Sequence, residues 1–499
     1  MELQFNKTVI PCLRTVAREV QNQEQTQEVR LSEGMPDIGR ILASWGQVLL
    51  RGKEWRNGGA AASGGVMVWV LYAPEDGSEA RCVESWLPFQ VKWDFPDTGR
   101  DGTLCVNPML RCVDARSLSA RKIMVRAAVG VLGQAIIPGE GELYTPAELP
   151  EDVYVLRNTY PIRIPVEAGE ELFNLEETLT LPASAPEIDK ILRYTLTPGL
   201  TDSKIVADKL VMRGVANLEV LYRGLDGKIH NWSWELPFSQ YAELDKEYDA
   251  NTTAQICLAV TALELAQGEE QNLALKADIT GQYVICQQHS VEVVEDAYSP
   301  MRSAVPQTAQ LNLPTMLDDR TETVTVEHTV DTGTMQVVDV TFYPEHPQLR
   351  RSGDTVATEL SGQFQLLGYS PEGQLQGITS RWQQDQMMEI SENSGVEMKI
   401  SSGEKPQAHI SGERTNLRVD MQLNTQTVAD RGIPMVTGLE LGEVRQPDAN
   451  RPSLILRRAG TDSLWEIAKS TGSTVQAIQT ANRLTQEPNS EQVLLIPVP

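Results

Sequence analysis

Apolar and polar residues alternate along most of this chain. Val66, Val68, Val70 and Tyr72 are apolar at every second position and lead into Asp76-Gly77. Gly214, Ala216, Leu218, Val220 and Tyr222 follow the same rule before Asp226-Gly227. A period of two buries one face of a strand and leaves the other to water, and a glycine-containing turn after it begins a hairpin. The return strands contain Leu87-Pro88-Phe89 and Leu236-Pro237-Phe238. Each is followed by a further alternating run, at 123–129 and 273–279. Ile188, Ile191 and Leu192 break the rule. Their spacing puts them on one face of a helix, and a short helix is predicted over 186–192.

The patterns recur at a fixed offset. Met35-Pro36-Asp37-Ile38-Gly39-Arg40-Ile41-Leu42 parallels Ala185-Pro186-Glu187-Ile188-Asp189-Lys190-Ile191-Leu192, 150 residues later. Glu28-Val29-Arg30-Leu31 parallels Thr178-Leu179-Thr180-Leu181 at the same distance. A third copy is worn. Leu360, Gly362, Phe364 and Leu366 lead into Ser370-Pro371-Glu372-Gly373, and Leu417, Val419, Met421 and Leu423 close it. It has neither the Pro-acidic-Ile octet nor Leu-Pro-Phe. A fixed period means a repeated folding unit. Short strands punctuated by turn residues are the mark of sandwiches and barrels. The expected organisation is mainly β: three repeated β-rich, sandwich- or barrel-like domains at 1–148, 149–298 and 299–446. Joints are expected near 138–150, 299–314 and 446–452.

The texture changes after Pro447. Ser453-Leu454-Ile455-Leu456 reads as a short strand. Gly460-Thr461-Asp462-Ser463 breaks it and offers a hydroxyl or carboxylate as helix cap, with Asp462 read as a cap. Leu464, Ile467 and Ala468 share a helix face, and Gly472 ends that helix. Thr474 caps a second helix with Val475 and Ile478 inward. Asn482 and Pro488 mark a loop, Asn482 as a turn former. Val493-Leu494-Leu495-Ile496-Pro497 returns as a strand. The segment 450–499 is thus a small βααβ domain.

Charge narrows the partners. The 499 residues carry a net −25, which repels nucleic acid and anionic lipid. Segment 450–499 has five basic residues against four acidic ones, so −26 falls on the rest. The amino terminus has no basic stretch followed by an apolar one, so no signal peptide is expected. The longest apolar run, Val66 to Tyr72, is far short of the roughly 20 residues of a membrane helix. A soluble cytosolic protein is expected, with no membrane insertion.

Candidate chemistry adds little. Cys12, Cys82, Cys105, Cys112, Cys257 and Cys286 form no C-x-x-C pair and read as reduced, partly buried thiols. Cys82, Cys105 and Cys112 lack the spacing of metal ligands. Phosphate-loop, dinucleotide, nucleophile-elbow and zinc-helix motifs are absent. The five histidines are dispersed, and acidic pairs such as Asp318-Asp319 are unspecific in so acidic a chain. No catalytic residue, metal or cofactor is expected. Trp232 and Trp234, on one strand face, read as core aromatics, the alternative being a stacking platform for a sugar or a partner peptide.

Gly460-Thr461-Asp462-Ser463-Leu464-Trp465-Glu466-Ile467-Ala468, Gly472-Ser473-Thr474-Val475, Ala481-Asn482 and Leu495-Ile496-Pro497 resemble the LysM family. The resemblance implies a binding groove at Gly460, Thr461, Asp462, Ser463, Leu464, Trp465, Asn482, Arg483 and Leu484, with Trp465 either a groove-edge anchor or a partly buried helix residue. Two departures touch the groove loops. One extra residue separates Gly460 from Asp462, and Ser490-Glu491-Gln492 stands where the family has glycine. The repeats resemble the SPOCS domain of SipL-type spore-coat proteins, through Pro186-Glu187-Ile188, Ile191-Leu192, Leu221-Tyr222 and Glu235-Leu236-Pro237-Phe238. Repeats followed by one LysM resemble the SipL architecture. That implies a non-enzymatic scaffold of coat and cortex assembly in the mother-cell cytoplasm. It would sit at the forespore surface and grip a SpoIVA-type coat ATPase through LysM. The other reading open is a binder of peptidoglycan or N-acetylglucosamine glycan.

Overall fold

A computed structural model describes residues 2–96, 99–146, 148–268, 272–390, 394–401, 405–429, 432–445 and 452–498. The fold is mainly β, in several small sheets. After a short strand β1 (Glu2–Gln4), the first unit runs through β2 (Asn6–Arg30), β3 (Ile38–Arg56), β4 (Gly59–Pro74), β5 (Arg81–Asp94), β6 (Thr103–Ser119) and β7 (Lys122–Thr145). Its two sheets have the orders β2-β7-β6 and β3-β4-β5. Val66, Val68 and Val70 of one meet Ile123, Val125 and Val129 of the other in a shared core. The second unit comprises β8 (Tyr154–Thr180), β9 (Ile188–Val206), β10 (Lys209–Gly224), β11 (Ile229–Glu243), β12 (Thr253–Gln267) and β13 (Asn272–Tyr298). Its orders, β8-β13-β12 and β9-β10-β11, are those of the first unit.

The third unit keeps this plan with its long strands cut in two. β14 (Arg302–Asn312) and β15 (Thr315–Asp331) stand in for one opening strand. β16 (Gln336–Pro344) and β17 (Gln348–Ser352) divide the next, followed by β18 (Thr355–Tyr369) and β19 (Leu375–Glu389). β20 (Ser394–Ser401) and β21 (Gln407–Ser411) both pair with β22 (Arg414–Ala429), and β23 (Gly432–Val444) completes the closing strand. β14 pairs with β23, and β1 adds to the other edge of β23 through Leu3 opposite Leu439. The paired ends of the long strands of all three units converge. Cys12, Ile162, Val291, Leu311 and Met435 pack together there. The chain ends with β24 (Leu454–Arg458), α1 (Leu464–Thr471), α2 (Val475–Asn482) and β25 (Val493–Pro497). The joint expected at 446–452 lies outside the described residues except for Pro452. No helix among the described residues is long and apolar enough to cross a membrane.

Of the segment 186–192, where a helix was expected, residues 188–192 are strand, the start of β9, and the two residues before them are loop. From Gly224 to Leu221, β10 pairs with Ile188, Lys190, Ile191 and Arg193 in turn, so Asp189 and Leu192 are extra residues in two bulges. β3 repeats the device, with Gly39 and Leu42 skipped opposite β4. A bulge shifts the strand's alternation by one residue. Two bulges close together therefore reproduce the three-and-four spacing of a helix face.

The Leu-Pro-Phe motif also gains a cause. Phe89 pairs with Gly64 and Phe238 with Gly214 across their hairpins. A Cβ on Gly64 would lie 2.3 Å from the Leu49 carbonyl oxygen and 2.8 Å from the Phe89 ring. On Gly214 the corresponding distances are 2.1 Å to the Gly199 oxygen and 2.4 Å to Phe238. The ring covers a strand glycine and fills the volume its missing side chain leaves. In the third unit Gly362 pairs with Trp382 and is filled by Phe342, 2.4 Å from the same Cβ position. The aromatic comes from the neighbouring strand, so no Leu-Pro-Phe is needed.

Buried polar contacts join the units. Arg193 of β9 is fully buried. Its guanidinium donates to Asp339 of the third unit at 2.7 and 3.1 Å and lies 5.1 Å from the ring of Trp45 in the first. Gln282 of β13 exchanges two hydrogen bonds of 2.7 Å with the backbone of Val106 in β6. The Tyr343 hydroxyl accepts from the Gly46 amide at 3.3 Å. Each contact pairs a group that burial would otherwise leave costly.

Candidate functional site

The carboxy-terminal segment forms its own small core. β24 and β25 pair antiparallel, with Ile455 opposite Ile496. Leu464, Ile467 and Ala468 of α1, Ile478 of α2, and Leu494 and Ile496 of β25 are buried together. Local chemistry sets the ends of the helices. Ser463 caps α1: its hydroxyl accepts from the Glu466 amide at 3.2 Å, and the Glu466 carboxylate accepts from the Ser463 amide at 2.8 Å. The Ser-x-x-Glu spacing is the sequence signal of this reciprocal cap. Thr474 caps α2 by accepting from the Ala477 amide at 3.0 Å. Gly472 ends α1 in the left-handed region, at φ 68°.

The nine residues named for a groove have unlike surroundings. Gly460 turns the chain at φ 65°, its amide donating to the Ser490 carbonyl at 3.0 Å. Thr461 is exposed beside it. Asp462 is not the cap expected of it. It pairs with Arg457 of β24, and the cap falls one residue later on Ser463. Leu464 points into the core, and its amide donates to the Glu487 carboxylate at 3.0 Å. That bond ties the loop after α2 to the loop before α1. Asn482 clamps α2 to β25, exchanging bonds of 2.6 and 2.7 Å with the Leu495 backbone and donating to the Ile478 carbonyl at 2.8 Å. Arg483 ends α2 in the left-handed region at φ 52°, with its side chain exposed. Leu484 lies against the core. The structure therefore gathers Gly460–Leu464 and Glu487 at the start of α1. It places Asn482, Arg483 and Leu484 at the end of α2.

Trp465 faces another way. Its indole Nε1 donates to Asp296 of β13 at 2.8 Å, and its ring meets Tyr298 edge-to-face at 4.8 Å. Lys469, one turn on, reaches both oxygens of Asp296 at 2.8 Å. The Tyr298 hydroxyl donates to the Ser473 carbonyl at 2.9 Å, and burial pushes it up to about 12. The small domain is thus docked on the last residues of the second unit. Asp296 and Tyr298 carried no sequence signal, since nothing local marks a strand end as a docking surface.

Elsewhere the expected chemistry is dispersed. Among the described residues no group of three or more His, Cys, Asp or Glu side chains is placed to hold a metal. The six thiols are free, and burial raises Cys105 to about 11 and Cys82 and Cys286 to about 12, away from nucleophilic character. Trp232 and Trp234 pack against the core of the second unit.

Fold and site together define a multi-unit β protein with a docked α/β module at its carboxy-terminal end. Residues 187–263, which span β9 to most of β12, match the family described as SipL, SPOCS domain. No curated protein and no solved structure matches the chain.

Proposed function

We propose that this chain is a non-enzymatic scaffold of endospore coat and cortex assembly. In this reading 1–148, 149–298 and 299–446 are three SPOCS-type repeats, and 450–499 is a LysM module that grips a protein. The observation that carries it is the match of residues 187–263 to the SipL SPOCS domain, in a unit whose strand order recurs on both sides of it. The partner on this reading is a coat morphogenetic protein of the SpoIVA type, met at the mother-cell face of the forespore.

The loop geometry favours a protein over a sugar as ligand. A sugar groove is lined by a few placed polar groups, and such groups offer less when they are already engaged within the protein. Here Glu487 takes the Leu464 amide, and Arg457 takes Asp462. A protein partner can use the outer surface without breaking either contact. Glycan binding is the second reading, and it rests on the Gly460–Ala468 resemblance.

Affinity capture from sporulating cells, with the full chain and with a chain ending before residue 450, tests the assignment. The expected result is one coat protein retained by the full chain and lost on truncation. Even distribution of a fluorescent fusion through the cell would contradict a coat role. Retention of the full chain, but not the truncated one, on purified peptidoglycan would favour the glycan reading.

A further inference from the structure

A cleft of about 300 Å³ opens where the three units meet. That is near the lower end of the volumes that hold small organic ligands. Its floor is the outward face of the β9–β10 hairpin. Thr195 stands opposite Glu219 there, and Thr197 opposite Asn217. The alternate residues Leu196, Leu218 and Val220 face the core of the second unit. In a free-standing sheet such a polar face meets water. Here apolar side chains of the third unit, among them Phe342 and Met421, wall it in.

The charge of the cleft is unbalanced. Lys399 and Lys405 line it. Lys399 donates to the Ile256 carbonyl at 2.7 Å and Lys405 to the Asn231 amide oxygen at 2.9 Å. Neither has a carboxylate within ion-pair distance among the described residues. Glu219 is held by Arg193 at 3.4 Å, and Arg193 in turn by Asp339 at 2.7 Å. Among the described residues that line the cleft, two cations, Lys399 and Lys405, therefore face one carboxylate, Glu219, which Arg193 already holds from behind. One negative charge on a ligand would complete the set, and the apolar wall suits a short hydrocarbon body.

We propose that this cleft binds a small organic monoanion, a carboxylate with an apolar body. Lys399 and Lys405 hold the carboxylate, Asn217 and Thr197 offer hydrogen bonds, and Phe342 and Met421 pack on the body. Such binding would tighten the junction of the second and third units, because its contacts come from both. The proposal does not depend on the spore-coat reading.

Titration calorimetry on the full chain tests it, with hexanoate and 3-phenylpropionate as probes and the matching alcohols as controls. Charge-assisted bonds to a carboxylate predict saturable binding, and about tenfold or greater weakening for the alcohols. Lys405→Gln, at an exposed position, should weaken the carboxylates about tenfold while leaving the melting temperature unchanged. Asn217→Asp, which adds a negative charge to the floor, should do the same. No saturation by either acid overturns the proposal, as does equal binding of the alcohols or undiminished binding by both variants. Binding of an acidic peptide without binding of the small acids overturns the ligand class.

Discussion

His346 shows how burial at one residue sets a measurable property. Its Nε2 faces the carbonyl oxygens of Asn107 and Gly130 at 3.1 and 3.2 Å, so it carries the proton of the neutral ring. Nδ1 is buried and has no partner among the described residues. A second proton there would create a desolvated cation near Arg18 and Arg111, and burial holds the group down at about 4. The unfolded chain takes that proton near 6.5. Between those values the unfolded state binds more protons than the folded one. The contribution is therefore fully present above about pH 6.5 and is lost as pH falls toward 4, by about 3 kcal/mol in all. Stability of the native chain should drop more steeply across pH 6.5–4 than that of His346→Gln, which keeps a donor and cannot be charged. Parallel curves from denaturant titrations at each pH would refute this origin. None of this was legible in the sequence, where His346 is one of five scattered histidines. Ser463 is the opposite case. Its capping role rests on the three-residue spacing to Glu466 and is fully local, although the cap was expected one residue earlier, on Asp462.

Single elements show where a local rule needs help from its neighbours. The hairpins were readable because alternation and a glycine turn are properties of adjacent residues. Gly77, Gly227 and Gly373, at φ 74°, 77° and 78°, sit in corresponding turns after β4, β10 and β18. The bulged start of β9 gave the expectation of a helix because an extra residue in a strand imitates helical spacing. Only the partner strand reveals which residues are skipped. Glycines at turns and at ring contacts should also respond differently to one methyl group. Gly227→Ala has space and suffers only the left-handed backbone, a cost of about 1 kcal/mol. Gly214→Ala meets the Gly199 carbonyl oxygen at 2.1 Å and the Phe238 ring at 2.4 Å, and should lose about 3 kcal/mol. Urea midpoints for the two variants give the comparison. Equal losses would mean that β10 moves aside, and that the glycine-aromatic pairing does not fix the hairpin.

At the scale of the whole molecule, side chains from different units complete one another. Arg193, Asp339 and Trp45 belong to three units, so removing one partner leaves a buried charge in another unit. Arg193→Met should cost about 3–5 kcal/mol, and adding Asp339→Leu should recover much of it, since an apolar pair avoids the unpaired carboxylate. The denaturation midpoint measures both. If the double variant is no better than the single one, Arg193 acts through packing on Trp45 instead of through charge. The small carboxy-terminal domain follows the same principle. Trp465 and Lys469 find their partners at Asp296, 169 and 173 residues away in sequence. From sequence alone Trp465 could be an exposed groove edge or a partly buried helix residue. In the structure it is a partly buried helix residue in contact with Asp296 and Tyr298.

The sequence by itself determined the strand periodicity, the recurrence at 150 residues, and the strand-helix-helix-strand order at the end of the chain. Each of these is a relation among residues a few positions apart, or a copy of such a relation, and backbone geometry translates it directly. Only the tertiary structure decided which strand residues are bulged, which aromatic fills each strand glycine, how Arg193 joins three units, and which surface of the carboxy-terminal domain is already occupied. Those outcomes depend on pairings between residues more than a hundred positions apart. Burial and hydrogen bonding select such pairings in three dimensions, and local pattern leaves no trace of them.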